Sequence, residues 1–74
     1  MKQKVLDALK KHAEGQIAKH QMNVSIYLES AVGVGEHTDI LESIEKELGH
    51  IGKYNEQIEV INKYFVIKDP FKSE

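Results

Sequence analysis

Residues 31–48 read AVGVGEHTDILESIEKEL. The pair Gly33 and Gly35 stands just before a run whose apolar residues recur at helical spacing. Two readings compete: a glycine loop that cradles phosphate, or a reversal between two helices. A phosphate loop needs a preceding strand, and either the third glycine of G-x-G-x-x-G or the Lys-Ser/Thr of a P-loop. Residues 33–39 have neither, and they place Glu36 and Asp39 where a phosphate would sit. A turn needs only backbone freedom, which Gly33 and Gly35 supply. Thr38 is a suitable N-cap, and Asp39 complements the positive end of a helix. Asp39 with Glu42 forms a variant of the capping box. The stretch therefore predicts a reversal over about 31–38 and a helix beginning near 39.

Working outward, residues on both sides carry helical patterns. Before the turn, Leu6, Ala13, His20 and Tyr27 recur every seven residues, and Ile17, Val24 and Ala31 form the row beside them. This 3–4 alternation predicts a helix over about 2–30 with one buried stripe. Residues 23–28, NVSIYL, also alternate like a strand, but the helical stripe runs through them and no partner strand is visible. After the turn come three rows: Ile44, Ile51, Ile58 and Phe65; then Ile40, Glu47, Tyr54 and Ile61; then Leu41, Leu48, Asn55 and Asn62. They predict a helix over about 39–66, stopping ahead of Pro70, with a short polar tail at 67–74. The expected core and interface residues are Leu6, Ile17, Val24, Tyr27, Ile40, Leu41, Ile44, Leu48, Ile51, Tyr54, Ile58, Ile61 and Phe65. Glu47, Asn55 and Asn62 interrupt this face. They are read as edge residues, with a buried register-fixing residue as the alternative. Gly49 and Gly52 weaken the middle of the second helix.

The fold class that follows is all-α: one antiparallel two-helix hairpin over 1–74. Its 74 residues are few for a self-sufficient core. A second helix with three apolar rows has more width than one neighbour can cover. A homodimer in the form of a four-helix bundle or coiled coil is therefore expected.

Charge is uneven. Residues 1–28 hold five lysines against Asp7 and Glu14, a net +3, whereas residues 29–62 hold eight acids against Lys46 and Lys53, a net −6. A basic helix against an acidic one explains this. Arginine is absent, which argues against nucleic-acid binding. Cysteine is absent too, which removes disulfides and thiol chemistry. No apolar run reaches the ~20 residues of a membrane span, and the N-terminus lacks the apolar segment of a secretion signal.

Candidate chemistry centres on histidine. With the turn near 35, facing residues sum to about 70, so His20 comes opposite His50. Glu47 and His50 form an E-x-x-H, the spacing that presents both side chains to one metal in carboxylate-bridged bundles. Such a site also needs a glutamate from the facing helix. His20 and Asn23 stand there instead. His20, Glu47 and His50 are thus weak metal candidates, and His50 is expected to be solvated beside Lys46 and Lys53. Other catalytic templates are missing. The expectation is a non-enzymatic interaction protein without cofactor, a metal-binding bundle or a minor assembly component being the alternatives.

Residues 17–48, IAKHQMNVSIYLESAVGVGEHTDILESIEKEL, with INKYF at 61–65, resemble a group of short proteins encoded by contractile-tailed phages of marine cyanobacteria. The likeness spans roughly 16–65, and its most specific parts are AKHQMNV and GVGEHTDILE. It implies a virus-encoded protein acting in an infected bacterial cell; a host or phage protein partner is expected, in the host cytoplasm or in the virion. It assigns no functional residue.

Overall fold

A computed structural model describes residues 1–31 and 38–65. Two helices, α1 (Lys2–Ser30) and α2 (Thr38–Tyr64), pack against each other as an antiparallel hairpin. There is no strand among the described residues, so the alternation in 23–28 belongs to α1. The Gly33–Gly35 turn and the tail at 67–74 lie outside the described residues, as does the Thr38 side chain on which the N-cap expectation rests. Asp39 stands in the first turn of α2, where its charge meets the helix dipole. The helix ends at Tyr64, earlier than the expected 66, and the amide of Phe65 still donates to the Ile61 carbonyl at 2.9 Å.

The helices meet along one seam. On α1 and its C-cap the seam positions are Leu6, Lys10, Ala13, Ile17, His20, Val24, Tyr27 and Ala31, spaced alternately by four and three, with Gln16 and Asn23 half-buried beside them. On α2 they are Ile40, Ile44, Glu47, Ile51, Tyr54, Ile58 and Ile61, spaced the same way, with Ser43 half-buried beside them. That alternation is the a/d pattern of a coiled coil, which keeps one stripe of each helix facing its neighbour. Only Ala13 and His20 are buried; the others are half-buried. Ala13 has no exposed surface at all, so its small side chain lets α2 lie directly over it.

Three of the expected core or interface residues lie outside the seam. Leu41 and Leu48 are 65% and 56% exposed. They belong to the third apolar row, which lies beside the seam, and a two-helix hairpin offers that row no neighbour. Phe65, 56% exposed, continues the row of Ile44, Ile51 and Ile58 in sequence but falls just past the end of α2. It lines a shallow groove with Met1, Val5, Leu6 and Tyr64 instead. Asn55 and Asn62 are exposed, but Glu47 is not an edge residue: it turns into the seam.

Candidate functional site

The most polar part of the seam lies where His20 meets Glu47. Both residues occupy coiled-coil core positions, so the geometry that buries aliphatic side chains elsewhere buries them here. Their side chains are 10% and 12% exposed. The His20 Nδ1 lies 3.0 Å from Glu47 Oε1, and the Asn23 amide, one turn further along α1 from His20, donates to the same oxygen. Two hydrogen bonds to its charged form hold the Glu47 carboxyl below its ordinary value of 4.5. The bond to His20 contributes most and that to Asn23 next; partial burial opposes them. Among the described residues, no shielded side-chain nitrogen or oxygen lacks a partner, as expected of a polar group kept in a core.

Aromatic rings close the cluster. The His50 ring stacks on His20 with centroids 4.5 Å apart and planes inclined by 17°. Tyr54 lies 6.4 Å from His20 at 13°, and His12 meets Tyr54 edge-on at 6.0 Å. Lys53 Nζ stands 5.1 Å over the Tyr54 ring. The expectation of a solvated His50 is therefore half met: the residue is exposed, yet one ring face is covered by His20.

This arrangement does not suit a shared metal ion. An imidazole binds metal through a lone pair in the plane of its ring, and two stacked, nearly parallel rings aim their lone pairs along separate planes. One nitrogen of His20 is already engaged by Glu47. Among the described residues, no three His, Asp or Glu side chains stand together as a metal-holding group. What the cluster does chemically is give a carboxylate inside the seam hydrogen-bond partners from the facing helix and tie α1 to α2 at one register.

Two faces flank the seam. One holds Leu9, Gln57 and Val60 along a shallow groove, continuing to Val5 and Tyr64 at the open end of the hairpin. By helical spacing the same face takes Lys2, Lys19, Lys46 and Lys53 with Asp39, and Glu56 also lines the groove. The opposite face holds Leu28, Leu41 and Leu48, each more than half exposed. Lys10 marks its boundary, donating through Nζ to Asn62 Oδ1 at 3.2 Å. No family model, curated protein or solved structure matches the chain. No helix among the described residues is long and apolar enough to cross a membrane.

Proposed function

We propose that this protein is a non-enzymatic, phage-encoded interaction module that self-associates through its exposed apolar surface and, as a dimer, binds a host or phage protein. One observation carries the reading. Ala13 is the only fully shielded apolar residue among those described, whereas Val5, Leu9, Met22, Ile26, Leu28, Leu41 and Leu48 are each more than half exposed. A seam this thin buries little apolar surface, and so much exposed apolar surface is unusual for a soluble monomer. Self-association covers it. The opposite charges of the two helices support a second copy as the occupant, since a bundle that alternates helices sets each acidic α2 beside basic α1 segments. The resemblance of residues 16–65 to phage proteins supports a setting in the infected bacterial cytoplasm or the virion. Sedimentation equilibrium at micromolar concentration tests the assembly: the expected mass is twice that of the chain, and a fully helical monomer would overturn the reading.

A further inference from the structure

We propose that the second copy packs on the face carrying Leu28, Leu41 and Leu48, about a two-fold axis running along the hairpin, so that α1 of each copy lies against α2 of the other. This rests on the self-association reading and specifies its surface and geometry. The placing of opposite charges chooses between the faces. The face of Leu9 and Val60 carries Lys2, Lys19, Lys46 and Lys53 with Asp39, and Glu56 also lines its groove, so lysines outnumber acids when it is mated with itself. The face of Leu28, Leu41 and Leu48 carries Lys4 and Lys11 on α1 with Asp7 and Glu14, and Glu45 and Glu59 on α2, an excess of acids, so the choice rests on which residues come level.

Register then shows that the signs and shapes match. Within the hairpin, His20 meets Glu47, Asn23 meets Glu47 and Lys10 meets Asn62, so residues at one level have numbers summing to about 70. A two-fold axis along the hairpin leaves every level unchanged, and the same rule therefore holds between copies. Lys11 comes level with Glu59 of the second copy. Asp7 and Glu14 come level with Asn62 and Asn55 of the second copy, whose amides can donate to the carboxylates. Leu28 comes level with Leu41 of the second copy. A two-fold axis across the hairpin would instead set α1 against α1 and take Lys11 away from Glu59 of the second copy. The axial arrangement also accounts for Gly52. A Cβ built there meets nothing within 4 Å, so the hairpin itself gives no reason for a glycine in mid-helix. In the dimer Gly52 comes level with Ala18 of the other copy, where two small residues permit close approach. A face about 40 Å long and two helices wide offers on the order of 800 Å² per copy, enough for a specific dimer.

Sedimentation equilibrium on the full chain and surface variants, with helicity followed by circular dichroism, tests the proposal. The wild type should have twice the chain mass. Leu41→Lys with Leu48→Lys, both at exposed positions, should leave the helices intact and weaken the dimer by about a hundredfold or more. Leu9→Lys with Val60→Lys should leave it unchanged. Lys11→Glu and Glu59→Lys should each weaken it by roughly tenfold, and the double exchange should restore it. A dimer lost in the Leu9/Val60 variant but kept in the Leu41/Leu48 variant overturns this face while the self-association reading stands. Failure of the double exchange to restore affinity overturns the axial register. A monomeric wild type overturns both readings.

Discussion

His20 and Glu47 lie 27 positions apart in sequence and 3.0 Å apart in space, each in a core position of its own helix. Facing core positions usually hold a matched apolar pair. Here a partly buried carboxylate is matched by an imidazole, with the Asn23 amide as a second donor. Sliding one helix past the other would set Glu47 against apolar α1 positions such as Ile17 or Val24. The pair therefore penalises wrong registers, as buried polar residues do in other coiled coils.

Acid sensitivity follows from the same contact. The folded-state pKa of Glu47 is lowered from 4.5, so the native state favours the carboxylate more than the unfolded chain does. The resulting stabilisation is present in full above the unfolded value and is lost as pH falls through the folded one. Urea midpoints measured from pH 6 down to pH 2.5 should fall with acidification, and Glu47→Gln should remove part of that slope. An identical slope in the variant would show that the contact contributes nothing in solution.

Ile51 and Leu48 sit three residues apart and separate the seam from the flank. Ile51 is half-buried against α1, whereas Leu48 is 56% exposed. At concentrations low enough to keep the chain monomeric, Ile51→Ala should cost about 2 kcal/mol, the lower end for aliphatic truncations because the site is only partly closed. Leu48→Ala should stay within about 0.5 kcal/mol. Equal losses in chemical denaturation would mean that the seam is rotated from the one described.

The contrast between these two residues marks how far the sequence could be read. The 3–4 spacing of Leu6, Ala13, Ile17, His20 and Val24 on one side, and of Ile40, Ile44, Ile51 and Ile58 on the other, carries the helical hairpin, because periodicity records which stripe is apolar. Residue-number sums carry the pairing of His20 with the Glu47–His50 turn, because an antiparallel pair has a single register. Periodicity could not show that the Leu41 row lies outside the seam: leucine on a flank reads the same as leucine in a core until the number of neighbours is known. Nor could it show Glu47 turned inward, since that depends on donors from His20 and Asn23 arriving together.

Ala13 tests the closeness of the seam. Its side chain has no exposed surface, and there is no room for further methylene groups unless the helices separate. Ala13→Leu should therefore destabilise the hairpin by ~1–3 kcal/mol, although leucine is more apolar and nearly as good a helix former. If the variant melts at a higher temperature than the wild type, α2 does not lie tightly over this position.

Gly15 and Gly49 test the opposite condition, open space. A Cβ built at either position meets nothing within 4 Å, and both lie inside long helices, where glycine is less favourable than alanine by ~1 kcal/mol. Neither site forms part of the seam, and neither lies on the face assigned to the second copy, so no packing is given up by adding a methyl group. Gly15→Ala and Gly49→Ala should each stabilise the fold by roughly 0.5–1 kcal/mol, and their effects should add because the two sites share no contacts. Gly52→Ala should part company with them. It gains the same helix propensity but places its methyl group where the second copy approaches, so it should loosen the dimer while strengthening the helix. Thermal melts across a range of protein concentrations separate the two effects. A Gly52→Ala variant that behaves like Gly49→Ala at every concentration would show that no second chain comes near Gly52.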